Sequence, residues 1–283
     1  MTVGLTGRAV FAGVVGDPVS HSLSPRLMGH WIRTLGLDAA YLPFAVPPSG
    51  FEAFVRGLAG TQASGLNVTL PHKEAALALA DRATPAAKAI GAANLLTFHP
   101  DGILVDNSDA TGFLNALEPA KPAYHQSTAL VLGAGGAARA LVHALVTSGV
   151  NHLIITNRTA DRARALAAEL APDAAIVAWD DRDAALADAD IVVNATALGL
   201  KGENDLAMDW GKARSGAIVF DSVYTPLVTG FLAGARQAGL KTIDGLDMLI
   251  GQARPSFRAF FGREAPADPP VRPVLLEVLG ARP

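Results

Sequence analysis

No cysteine occurs among the 283 residues, which removes both a disulfide framework and a thiolate metal site and makes the cytoplasm the expected compartment. Charged residues are only 17% of the chain and the formal net charge is −3, so no basic field is present to hold nucleic acid. Hydrophobic residues reach 50%, yet no run of 18 or more lacks polar or glycine breaks, and no membrane span is expected. The opening MTVGLTGRAVFAGVVGDP lacks the basic n-region of a cleavable signal and passes directly into a strand pattern. The seven histidines are scattered, none in an H-x-x-x-H or H-x-x-E-H arrangement, so no metal is expected. His21 and His72 are expected to hydrogen-bond or fill the core rather than ligate.

What is present is a βα rhythm on a chain long enough for two domains. Strand-like AVFAGVV, AAYLPFAV and SGLNVTL alternate with helix-like runs from Ser24 to Leu35, Phe51 to Leu58 and Lys73 to Ala80. That is the pattern of a mainly parallel sheet with helices on its faces. A short helix follows from Thr84-Pro85 to Ile90, with a good N-cap and proline at the first helical position. ANLLTFH and GILVDN, joined through Pro100-Asp101-Gly102, read as a hairpin. The βα rhythm returns after residue 127: HLIITN, a helix from Ala160 to Leu170, AAIVAW, a short helix, DIVVNAT, GAIVFDS, a helix from Thr229 to Ala238, and LKTID. Beyond residue 245 the pattern is helical, with no strands of its own to cover. The expected fold class is therefore α/β: an N-terminal substrate-binding domain, residues 1–109, completed by helices of 245–283, and a Rossmann-type domain over 110–244.

The chemistry of the second domain begins at GAGGAAR, which directly follows the strand-like run 128–132. Gly133, Gly135 and Ala138 have the G-x-G-x-x-A spacing that permits a tight turn, close backbone approach to a pyrophosphate and close helix-strand packing. Ala134, Gly136 and Ala137 complete the loop, and the phosphates would rest on a helix N-terminus. An NAD site usually places an acid at the end of the next strand to hold the ribose 2′-hydroxyl. Here Asn157-Arg158-Thr159 stands there, with Arg162 one turn later, and two guanidiniums suit a 2′-phosphate, so NADP is the expected cofactor. The alternative for each arginine is a solvated helix-start residue. Thr196, in the segment Asn194 to Gly199 after another strand, would meet the cofactor or simply form a strand-to-loop turn.

Three stretches of the first domain put polar residues where open α/β sheets bind ligands. Ser22 and Ser24 alternate on an extended segment, so two hydroxyls could reach one hydroxylated or carboxylated ligand; Ser24 also precedes Pro25 as a helix N-cap, whereas Ser22 has no structural reason of that kind. Lys73 falls in the first turn of a helix, where the macrodipole opposes a cation, a position suited to a proton donor, although an isolated lysine is more often simply solvated. Asp109 follows Asn107-Ser108 and reads either as its partner or as an N-cap. A lysine–aspartate pair can move the hydroxyl proton of an alcohol–ketone interconversion without metal.

Taken in order, HSLSP, NVTLPHKE, GAANLL, DNSDATG, GAGGAAR, NRT with Arg162, NATALG, DSVYTP and MLIGQA resemble the shikimate/quinate dehydrogenase family over nearly the whole chain. The resemblance implies that Ser22 and Ser24 bind a substrate carboxylate and that Thr69, Asn94, Asp109 and Gln252 hold ring hydroxyls. It implies Lys73 and Asp109 as the catalytic pair and Tyr224 as a substrate contact from the nucleotide domain. The glycine loop, Asn157, Arg158, Thr159, Arg162, Thr196 and Gly245 become cofactor-binding positions for NADP. The implied reaction is the reversible NADPH reduction of 3-dehydroshikimate to shikimate, in two domains that close over a cleft. The partner is thus a small-molecule substrate; a homodimer is an open option, since one sequence maps no surface. The chain departs from the family pattern at Met28-Gly29, Leu95, Ser108 and Asp247, the first of which is expected to loosen helix packing and the last to disturb the nicotinamide end. A quinate/shikimate dehydrogenase paralogue or a non-catalytic ligand-sensing module remain as alternatives.

Overall fold

Val10–Gly16 (β1) is buried over its last five residues, because it runs between two neighbours in the middle of a sheet rather than along an edge. The computed structural model describes residues 4–280, so the ends of the first domain at 1–3 and 281–283 lie outside the described residues. After β1 come α1 (Ser24–Thr34), β2 (Ala39–Ala45), α2 (Phe51–Ala59), β3 (Ala63–Val68), α3 (Lys73–Ala78), β4 (Arg82–Ala83), α4 (Pro85–Ile90), β5 (Leu95–His99) and β6 (Gly102–Asp106). They form one sheet of order β2-β1-β3-β5-β6-β4. β1 pairs in parallel with β2 and β3, and β5 pairs antiparallel with β3 and β6. The expected hairpin is thereby inserted into the sheet rather than added beside it, and the two-residue β4, too short to leave a periodicity, closes the edge on β6. Thr84 caps α4 by accepting the Ala87 N–H at 3.2 Å, and Gly91 ends it in the left-handed region at φ +72°.

The chain divides into two compact units: one reaches to Ser108 and resumes at Leu249, and the other spans Asp109–Met248. The second unit contains α5 (Asp109–Leu117), β7 (Thr128–Leu132), α6 (Gly136–Thr147), β8 (His152–Thr156), α7 (Ala160–Leu170), β9 (Ala175–Ile176), β10 (Ile191–Asn194), β11 (Ile218–Asp221), α8 (Gly230–Gln237) and β12 (Lys241–Ile243). Its sheet has the order β12-β11-β10-β7-β8-β9, parallel throughout. Neighbours of β7 diverge to either side, which makes its carboxyl end a topological switch point, the place where such sheets bind ligands. Two details differ from expectation. AAIVAW supplies only the two residues of β9, and the short helix after it is a pair of single 3-10 turns, Trp179–Asp181 and Ala184–Ala187. The Arg182 guanidinium donates to the Trp179 carbonyl at 2.8 Å and to Ala207 at 3.2 Å, using a carbonyl that a continued helix would need.

The last two helices are α9 (Gly245–Phe261) and α10 (Arg272–Val278). Within the first unit, Phe257 of α9 meets Trp31 of α1 edge-to-face at 5.4 Å, and the Arg254 guanidinium lies 5.6 Å from the same indole. Met28 of α1 is fully buried and Gly29 half-buried, so the departure at Met28-Gly29 lies on the packed face of that helix. The first unit's core gathers Val15, Leu66, Val68, Leu96 and Ile103 from one face of its sheet, with Phe51 of α2 packed on them. The second unit's core gathers Leu130, Leu132, Val192, Val219, Phe231 and Leu232.

Gly65 of β3 has no room for a side chain: a Cβ there would fall onto the Leu96 carbonyl oxygen and 2.7 Å from the Phe260 ring. The Gly65→Ala variant should lose about 2 kcal/mol of stability from this overpacking, read as a lower denaturation midpoint in urea. An unchanged midpoint would show that the strand yields at no cost.

Candidate active site

In the first unit, backbone hydrogen bonds draw together the segments that follow the strands. Thr69 N–H donates to Val15 O at 2.9 Å and Asp17 N–H to Leu70 O at 2.9 Å, knitting the turn after β1 to the turn after β3. Val68 N–H donates to Asn94 O and Ala93 N–H to Lys73 O, each at 2.9 Å, while Asn94 N–H reaches Asp106 O at 3.1 Å. Thr69 and Lys73, from the turn after β3, and Asn94, from the segment before β5, are therefore held by one backbone network. Lys73 is the first residue of α3 and half-buried.

Asn94 is buried, and its Oδ1 accepts both the N–H of Ser108, at 2.8 Å, and its hydroxyl, at 3.2 Å. The same hydroxyl lies 3.5 Å from Oε1 of Gln252, whose Nε2 donates to Leu249 O at 3.1 Å. The amide of Asn94 is thus turned with its oxygen toward Ser108, whose backbone N–H makes the shorter of the two bonds and whose hydroxyl adds the second. Asn67, not singled out from the sequence, anchors the floor of this region: its Oδ1 accepts from Tyr41 at 2.8 Å, and its Nδ2 donates to Ser256 at 2.8 Å and Asn94 O at 3.1 Å. Burial pushes the Tyr41 phenol well above its ordinary range, so it stays a neutral donor.

Two readings of the serines change. Ser24 is the first helical residue of α1 and not its cap; Leu23 occupies the cap position, and Ser22 Oγ accepts the Ser24 N–H at 3.3 Å. Ser22 therefore has a structural role after all, because the chain approaches the helix already in a helical conformation at Leu23, which moves the capping acceptor one residue upstream. Asp109 likewise is not a cap but the first residue of α5, buried, and belongs to the second unit. His72 fills the core: it is 2% exposed, stacks on Phe51 at 4.4 Å and places Nε2 2.8 Å from the Val46 carbonyl.

In the second unit the glycine loop lies where its spacing requires. Gly133 has φ +116°, which excludes a side chain, and its N–H donates to Thr156 O at 2.8 Å at the end of β8. A Cβ on Gly133 would lie 3.0 Å from both the Ala195 carbonyl and the Thr196 methyl, whereas one on Gly135 would meet nothing within 4 Å. The loop is packed hard beneath and open above. Gly135 precedes α6 with no side chain to cap it, so the first-turn N–H groups suit a pyrophosphate, and the residues fit a dinucleotide. Asn157 Nδ2 donates to Thr159 O at 2.9 Å, which shapes the turn that exposes Arg158, and Arg162 is exposed in the first turn of α7. Gly245 opens α9 where a Cβ would fall onto the Ser222 carbonyl. Asp221, Asn194 and Thr229, also overlooked in the sequence, form a buried polar cluster at the ends of β10 and β11. The signal for them was a strand of three apolar residues closing on Asn or Asp, IVVN and IVFD.

Three family models match this chain in order: the shikimate dehydrogenase substrate binding domain over residues 14–96, shikimate / quinate 5-dehydrogenase over 116–205, and the shikimate 5′-dehydrogenase C-terminal domain over 245–269. The shikimate dehydrogenase (NADP(+)) of Maricaulis maris is 56% identical over 277 residues, covering 98% of this chain and 99% of that protein. Its counterpart from Methylobacterium radiotolerans is 50% identical over 267 residues, covering 92% and 94%. Among solved structures, the shikimate 5-dehydrogenase of Thermus thermophilus, in complex with NADP(H) and shikimate, has a TM-score of 0.82 at 36% identity, covering 91% of this chain and 95% of that one. With three family models matched in order and 56% identity across 98% of its length, the chain belongs to the shikimate dehydrogenase family.

Proposed function

We propose that this protein catalyses the reversible, NADP-dependent reduction of 3-dehydroshikimate to shikimate in the cytoplasm. The observation that carries the reading is the 56% identity to a shikimate dehydrogenase (NADP(+)) across 98% of the chain, joined to an arginine turn in place of an acid after β8. When bound, NADPH supplies the hydride to the ring carbonyl carbon. The first-turn N–H groups of α6 hold the pyrophosphate, Arg158 and Arg162 hold the 2′-phosphate, and Asn157 and Thr159 shape that turn. Thr196 and Gly245 line the nicotinamide end.

In the first unit, Ser22 and Ser24 donate to the substrate carboxylate, while Thr69, Asn94 and Gln252 hold ring hydroxyls. Lys73 gives its proton to the carbonyl oxygen as the alcohol forms and recovers one from solvent; in the oxidative direction it takes the hydroxyl proton. Asp109 holds a ring hydroxyl and acts as the partner of Lys73, and Tyr224 contacts the substrate from the second unit. Nicotinamide absorbance with shikimate or quinate, each with NADP or NAD, tests the reading. Shikimate with NADP should turn over fastest. Preference for quinate or NAD, or binding without turnover, would overturn it.

A further inference from the structure

We propose that Asp221 is a positioning residue that holds the nicotinamide end of the nucleotide site, an inference that rests on the NADP reading above. β10 and β11 pair so that Asn194 and Asp221 lie opposite one another at their carboxyl ends, and neither has any exposed surface. One oxygen of the Asp221 carboxylate accepts from Asn194 Nδ2 and from the Val223 N–H, both at 2.9 Å; the other accepts from the Thr229 hydroxyl at 2.6 Å. Each donor leads to a different segment. Asn194 Oδ1 accepts the N–H and hydroxyl of Thr196, at 3.0 and 2.7 Å, and so builds the turn that packs against Gly133. Val223 directly precedes Tyr224. Thr229 caps α8 by accepting the Leu232 N–H at 3.2 Å. The backbone at Asp221 and Ser222 is also the surface against which Gly245 packs: a Cβ there would lie 3.0 Å from Asp221 O. One carboxylate thus stands behind Thr196 and Tyr224, and the backbone of the same residue stands behind Gly245.

Stability alone does not explain a charge at this position. Burial pushes Asp221 up to about 6, although Thr229, Val223 and Asn194 all pull it down, and the Asp205 carboxylate adds to the rise. The groups facing it from β10, the 222–224 turn and α8 are uncharged: Asn194, the Val223 N–H and Thr229. Because the folded-state value lies above the ordinary 3.8, the protonated form favours folding; that contribution is complete below about 3.8 and is lost as pH rises through about 6. At neutral pH the chain therefore keeps a charge that weakens the fold. The charge accepts three hydrogen bonds at once, which a protonated carboxyl, giving up one lone pair to its own proton, cannot do in the same geometry.

The near-isosteric Asp221→Asn variant separates the roles. Near neutral pH its thermal midpoint should equal or exceed that of the unaltered protein, while KM for NADP rises roughly tenfold through misplacement of the nicotinamide end. Affinity for 2′-phosphoadenosine 5′-diphosphoribose, which reaches the glycine loop and Arg158 but carries no nicotinamide, should not change. In the unaltered protein KM for NADP should rise more steeply as pH falls through about 6 than in the Asn variant, where only the 2′-phosphate of the cofactor still titrates over that range. A KM that does not move, or a midpoint, KM and probe affinity that all deteriorate together, would overturn the proposal. If the unaltered protein does not bind the probe, the NADP reading itself fails and takes this inference with it.

Discussion

Replacing Lys73 with Met should lower kcat about a thousandfold, the middle of the range for removing a general acid. Methionine keeps a flexible apolar stem of similar length and deletes only the ammonium, so folding and ligand binding are expected to survive. Lys73 starts α3 and is half-buried, and its carbonyl is pinned by the Ala93 N–H at 2.9 Å, so the backbone that presents the side chain does not depend on the ammonium. Steady-state rates with shikimate and NADP, alongside a thermal melt, give the measurement. A loss confined to kcat assigns the proton to Lys73; full activity removes the role from it. Asp109→Asn should lose a comparable factor, and the double variant little more than either single one, because residues that act as a unit are non-additive.

The second large effect is expected at Arg158. Arg158→Ala should raise KM for NADP by about thirtyfold and leave NAD almost untouched, since a charge-assisted contact to the 2′-phosphate exists only with NADP. The Asn157 to Thr159 bond holds the turn in shape without Arg158, so the deletion removes a guanidinium and not a loop conformation. Asp161, the acid in the first turn of α7, is paired with Arg164 at 2.6 Å. The effect should shrink as salt is raised, because the turn is exposed and its charges are screened. Equal losses with NADP and NAD would place Arg158 outside the 2′-phosphate contact.

Local signals suffice where chemistry and structure share a few neighbouring residues. Thr84-Pro85 announces α4 because an N-cap and a proline at the first helical position act within one turn. GAGGAAR announces the loop before α6 because the positive φ of Gly133 and the uncapped N-terminus are properties of consecutive residues. Other readings fail because the deciding partner is distant or a shift of one residue matters. Ser24 has the composition of a cap, but Leu23 already has a helical conformation, and that moves the cap and gives Ser22 its bond. β4 is two residues long and has no period to detect.

The sequence by itself determined the alternation of strand and helix, the dinucleotide loop and the arginine turn after β8, since each depends on hydrophobic period or on adjacent backbone. Only the tertiary structure decided that the β5–β6 hairpin joins the middle of the first sheet, that Ser108 orients Asn94 beside Gln252, and that Asp221 gathers three segments through one carboxylate. Buried polar groups must find partners wherever the fold brings them. Asn94 and Ser108 are 14 positions apart and Ser108 and Gln252 are 144, so no local pattern could announce those partnerships.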